Sequence, residues 1–153
     1  YTLYLSQVAP WFENEVAPDW RAAREAALAL LQKETELAEI VQLVGPDALP
    51  ESEKIVMEAA RMLREDFLQQ FAFDPIDAHC PPPKQYGMLK AILAFHEVAA
   101  AAVARGVALD RIMAAPVVSE IAGMKSMPHE GALEVLAELA KRVREEVSRI
   151  EVE

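Results

Sequence analysis

The residues best equipped for chemistry stand close together in "DAHC", residues 77 to 80, which places a carboxylate, an imidazole and a thiol within one short segment. Such a set suits a nucleophile with its base, or part of a metal site. The segment runs into "PPPK", and neighbours along a proline-stiffened loop seldom share the geometry that either role demands, so a packed or half-exposed loop is the expectation. His96 falls on the apolar side of a helical pattern and reads as an interior or boundary residue; His129 reads as a helix-start residue. No histidine has a Glu three residues before it, the spacing that bundle metal sites use, and no metal site is predicted. The nearest glycine neighbours, Gly123 and Gly131, lack the Gly-rich frame and Lys of a phosphate loop. On these residues the chain predicts no catalytic group of its own.

The composition narrows the partners. With 25 acids against 15 bases and a formal net charge of −10, the chain lacks the cationic surface that nucleic acid requires, and nucleic acid and anionic lipid are both excluded as expected partners. Cys80 is the only cysteine, which rules out an internal disulfide and fits a reducing, cytoplasmic setting. No uninterrupted apolar run approaches the roughly 20 residues of a membrane span, so no direct membrane insertion is expected. The opening "YTLYLSQ" has neither an initiator Met nor the order of a signal peptide, and suggests a piece of something longer.

The elements that would position any site are helical. Gly and Pro fall between long stretches of Ala, Leu, Glu, Lys and Arg, and 153 residues that are 53% hydrophobic suit one core, so the expectation is a single all-α helical bundle. Its first long helix is predicted over 18–44, with the stripe Trp20, Ala23, Ala27, Leu30, Leu37, Val41, Val44. A second, over 50–72, makes an antiparallel hairpin with it. Further helices are predicted over 83–105, with Gly106 as cap, and 128–150, with short turns near 109–113 and 116–122. Residues 3–16 could be helical if Pro10 is accommodated. The expected division is a connector at 1–17, a core bundle at 18–106 and a C-terminal extension at 107–153.

The corner between the first two helices, within "IVQLVGPDALPESEK" (40–54), is sharply specified. Gly45 can cap one helix, Pro50 can begin the next, and Glu51 and Glu53 suit the positive end of its dipole. Local physics asks for no more than an ordinary antiparallel connection. Of the aromatics, Phe67 and Phe71 read as core. Phe73, just beyond the second helix, need not point inward and could stack on a flat partner.

Taken together, "EIVQLVGPDALPESEK", "REDFLQQFAFDPIDAHC" and "KQYGMLKAIL" resemble the C-terminal helical domain of the catalytic A (alpha) subunit of V/A-type ATPases and ATP synthases of archaea and bacteria. The resemblance covers the whole chain, most strongly from Trp20 to Gly106. In the related catalytic subunit of bacterial and mitochondrial ATP synthases, the matching corner carries an acidic D-E-L-S-E-E-D loop that bears on the rotating shaft. Asp47, Leu49 and Glu51 agree with that pattern, Glu53 replaces its last Asp, and Ala48, Pro50 and Ser52 depart from it. The resemblance thus implies a rotor-contact loop at Pro46, Asp47, Ala48, Leu49, Pro50, Glu51, Ser52 and Glu53. It also implies that the segment after the hairpin lines the adenine pocket, with Phe73 against the base and Gln70 and Ala72 beside it; Phe71 departs from the Asn expected in "QQNAF".

The implied parent subunit binds ATP or ADP with Mg through residues upstream of Tyr1. Its implied partners are neighbouring non-catalytic B subunits in a hexameric ring, together with the central-stalk rotor subunit, on the cytoplasmic face of a membrane-bound complex. ATP turnover would swing the helical domain and drive ion transport, while the isolated fragment would not hydrolyse ATP. The alternative expectation is a free-standing helical adaptor that binds a partner helix.

Overall fold

Stretches rich in Ala, Leu, Glu and Arg are helical because these side chains lose little freedom on a helix, and Pro82 and Pro116 open their helices at first-turn positions where an N–H has no partner to lose. A computed structural model describes residues 2–70 and 72–152, and no strand occurs among them. The α-helices are α1 (Thr2–Glu15), α2 (Trp20–Val44), α3 (Glu51–Met62), α4 (Pro82–Ala104), α5 (Leu109–Met113), α6 (Pro116–Gly123) and α7 (Ala132–Ser148). Pro10 is accommodated inside α1. The all-α bundle built on a long hairpin is what the sequence led us to expect.

The organising element is α4. Met88, Leu89, Ala91, Ile92, Ala94, Phe95, Ala99 and Ala102 are all buried, so the helix is covered nearly all round. Among the described residues α4 is long and apolar enough by composition to cross a bilayer, although Lys90, His96 and Glu97 interrupt its apolar run. A helix hydrophobic all round is either a span or a bundle's interior, and here α7 lies along one side and α2 and α3 along the other. Val143 and Val147 of α7 share one apolar core with Ala23 of α2 and Ile55 of α3. One face of the last helix therefore belongs to the core of the bundle.

Three boundaries differ from the sequence expectation. Helix α2 begins at Trp20, after a turn at Pro18 and Asp19. The Asp19 carboxylate does not cap α2; it accepts hydrogen bonds from the Tyr86 hydroxyl and from Lys90 Nζ (2.8 Å) on α4. Lys90, and then Tyr86, hold that carboxyl below the usual range, while burial and the facing carboxylate push the Tyr86 phenol up. The second helix stops short of residue 72: its α-helical part ends at Met62 and a π-helical turn, Leu63–Leu68, closes it, with Gln69 N donating to Arg64 O at 2.8 Å. The last helix begins at Ala132 rather than 128, because Gly131 takes the left-handed region (φ 66°) just before it.

Two arginines of α7 pair with carboxylates of other helices. Arg142 binds Glu120 of α6 at 2.6 Å and Arg144 binds Glu97 of α4 at 2.8 Å. Exposed pairs of this kind contribute about 0–1 kcal/mol, so they orient α7 more than they hold it.

Close approach does hold it. A Cβ on Gly87 would lie 2.9 Å from Cβ and Cδ1 of Leu136, so α4 and α7 meet at this glycine. Gly87→Ala is expected to lower stability even though alanine is the better helix former. Overpacking of about 1–3 kcal/mol exceeds the roughly 1 kcal/mol that a helical glycine gives away. The midpoint of urea unfolding should fall; an unchanged or higher midpoint would show that α4 and α7 do not depend on close approach at Gly87.

Candidate functional site

Two regions merit the term, and the first is the corner. Gly45, at φ 89°, lets the chain leave α2 in a conformation that other residues rarely adopt, while its N–H donates back to Val41 O at 2.9 Å. A 3-10 turn, Pro46–Ala48, follows, and Pro50 (φ −65°) leads into α3 as its N-cap. The Pro50 carbonyl accepts the first helical N–H groups, from Glu53 at 3.0 Å and Lys54 at 3.1 Å.

The eight residues assigned to this corner by resemblance do not share one environment. Pro46, Asp47, Ala48, Pro50 and Ser52 are exposed; Glu53 is half-buried; Leu49 is only 6% exposed and turns inward. Glu51 is engaged within the fold: its Oε2 accepts from Leu109 N at 3.2 Å and its Oε1 faces Lys54 Nζ at 3.5 Å. The outward tip is therefore Pro46–Ala48, continued by two apolar side chains at the end of α2, Leu43 (85% exposed) and Val44.

The second region is the loop after α3. Gln70 and Ala72 are exposed, and Phe73 is 87% exposed, far from the core placement that an aromatic takes by default. The Gln70 carboxamide donates to Asp77 O at 3.2 Å. Asp74 folds the loop on itself, its Oδ1 accepting from Ile76 N at 2.9 Å and Asp77 N at 3.4 Å. The Ile76 amide is the main reason that its carboxyl is held low. Phe71 lies outside the described residues.

"DAHC" is not assembled into a site. Asp77 is buried while His79 is exposed, and the Cys80 thiol, pushed up by burial, faces Pro81 O. Among the described residues no three metal-ligating side chains come together.

The residues that hold this second region were missed by sequence reasoning. Lys84, 1% exposed in the first turn of α4, donates to Lys125 O at 2.6 Å and Met127 O at 2.7 Å. Burial lowers its pKa, and Cys80, Asp77 and Asp74 nearby partly oppose that. Lys125 in turn donates to Glu65 O at 2.7 Å and Gln69 O at 2.9 Å, filling carbonyls that the end of the second helix leaves open. Ser126 donates to Asp74 Oδ2 at 3.2 Å, and the His129 ring bonds Ile76 O at 2.7 Å, so His129 is more than a helix-start residue. One signal was present: Lys84 stands four and seven residues before the core positions Met88 and Ala91, on the face that packs.

A family model for the C-terminal domain of V and A type ATP synthase matches residues 9–113. The A subunit of the A-type ATP synthase of Methanopyrus kandleri is 52% identical over 150 residues, covering 98% of this chain and 25% of that protein. Its counterpart from Pyrococcus abyssi is 47% identical over 147 residues, or 96% of this chain and 14% of that one. The counterpart from Thermococcus onnurineus is 53% identical over 128 residues, or 84% of this chain and 22% of its own length. The chain thus spans about a quarter or less of the relatives it matches. An unrelated helical adaptor would not agree at half its positions with such proteins along nearly its whole length; the chain belongs to the family of C-terminal domains of V and A type ATP synthases.

Proposed function

We propose that this domain transmits force within the catalytic A subunit of a rotary ATP synthase, with the Pro46–Ala48 tip pressing on the central-stalk rotor subunit. The observation that carries the reading is the geometry of the tip. Pro46, Asp47 and Ala48 lie exposed where α2 meets α3, while Leu49 beside them is buried and Ile55 and Ala59 of α3 sit in the core. A tip rigidly continuous with a packed hairpin can move only if the hairpin moves, as a lever requires. The paired apolar and acidic character of Leu43, Val44 and Asp47 suits a helical partner that presents both apolar and basic side chains.

In the same reading the loop after α3 supplies one wall of the adenine site. The exposed ring of Phe73 offers a face to a flat base, and the Gln70 and Ala72 positions lie beside it. The phosphates and their magnesium are assigned, in this reading, to the upstream part of the subunit. Neighbouring B subunits, a cytoplasmic position at a membrane-bound complex, and coupling to ion transport follow from this proposal.

Two experiments on the intact complex test it. Replacing Asp47 and Ala48 with glycines should reduce torque, or rotor-coupled ATP synthesis, while the domain's unfolding midpoint stays near that of the parent, since neither side chain is buried. Leu49→Ala should instead lower stability by about 2–5 kcal/mol. Unchanged coupling in the Asp47 and Ala48 variant would remove the tip from the rotor contact. Separately, Phe73→Ala should weaken ATP binding roughly tenfold, the loss of about one stacking contact with a base. Equal affinity, measured by titration of the intact subunit, would take Phe73 out of the pocket.

A further inference from the structure

Gln69 and Ile76, on either side of the exposed stretch that carries Phe73, are tied to a single short turn elsewhere in the chain. Lys125 Nζ holds Gln69 O at 2.9 Å, and Glu65 O at 2.7 Å, on the near side. On the far side Ser126 holds Asp74 Oδ2 at 3.2 Å and His129 binds Ile76 O at 2.7 Å. The turn is itself fixed: Met124 is fully buried, and the Lys84 ammonium binds the carbonyls of Lys125 and Met127 from the base of α4. Within the loop the Asp74 Oδ1 and the Gln70 carboxamide add local bonds, to residues 76 and 77.

We infer that the turn 124–129 is a positioning device for the nucleotide side of the domain, and that Lys125, Ser126 and His129 set ATP affinity through the placement of residues 72–76. The inference rests on the reading of that loop as an adenine wall. None of the three side chains needs to touch nucleotide. A base stacks well only on a ring held at one distance and tilt, and a loop pinned at both ends to one rigid turn keeps its ring there before ligand arrives. Lys125 makes the largest contribution, because a charged donor satisfies two carbonyls at once at the end of a helix, where the dipole favours a cation. The same links make the loop follow α4 and the 124–129 turn whenever these shift against the upstream part of the subunit.

The test uses the full-length subunit in its assembled complex, with Lys125→Met, Lys125→Arg, Ser126→Ala and His129→Ala beside Phe73→Ala. Two readouts are needed: ATP hydrolysis resolved into kcat and KM, and amide hydrogen exchange over residues 72–78. Lys125→Met should raise KM for ATP roughly three- to tenfold with kcat little changed, the pattern of lost binding rather than lost chemistry, and should speed exchange in the loop. Lys125→Arg, which keeps a charged donor, should recover part of both effects. Ser126→Ala and His129→Ala should move both readouts in the same direction by less, and they carry the test if Lys125→Met fails to assemble. Unchanged exchange in all three single variants overturns the positioning role, and a raised KM in Phe73→Ala would then leave the adenine reading standing. Faster exchange with unchanged KM, together with a silent Phe73→Ala, overturns the inference by removing the adenine reading beneath it.

Discussion

A helix end leaves carbonyls without partners in the helix, and at the end of the second hairpin helix two of them are bound by one lysine. The π-helical turn Leu63–Leu68 already displaces the ordinary bonding pattern, with Gln69 N reaching Arg64 O. Lys125 takes the carbonyls of Glu65 and Gln69, and Lys84, buried below it, takes those of Lys125 and Met127. Two ammonium groups thus join the end of the hairpin, the start of α4 and the turn before α7. A buried lysine without such partners would be strongly unfavourable, so Lys84 commits the start of α4 to this one arrangement.

Around that junction the rest of the bundle is apolar packing on α4. Gly87 allows α7 to come close, Asp19 ties the beginning of α2 to Tyr86 and Lys90, and Glu51 ties the beginning of α3 to Leu109. The exposed corner stands at one end of the hairpin and the exposed loop follows its other end. The arrangement suits the proposed division of labour, in which one end meets the rotor and the other meets nucleotide, because both are attached to the same stiff pair of helices.

The corner shows how far residue chemistry and folded geometry diverge. By sequence Asp47, Leu49, Glu51 and Glu53 form one acidic-apolar run. In the fold Asp47 faces outward with Pro46 and Ala48, while Leu49 is buried and Glu51 accepts from the first N–H of α5. The matching positions of the run therefore divide between an exposed tip and an internal brace. The same distinction separates Phe73, exposed as the sequence allowed, from Asp77, buried where a reactive cluster could have been read.

What the sequence alone determined was local. The helical class, the hairpin, its Gly-Pro corner and the Gly106 cap follow from propensity, periodicity and the special backbone freedom of Gly and Pro, which act within a few residues. The family resemblance could be drawn from contiguous motifs for the same reason. What only the tertiary structure decided depends on residues far apart. The π turn that shortens the second helix has no period of its own. The donors that fill its carbonyls lie 56 and 60 positions away on Lys125, and Arg142 chose Glu120 over the nearer Glu138 because α6 brings that carboxylate alongside. His129 read as a helix-start residue and Ser126 carried no signal, and they hold Asp74 and Ile76 only because the packing of α4 and α7 at Gly87 brings the turn before α7 beside the loop before α4.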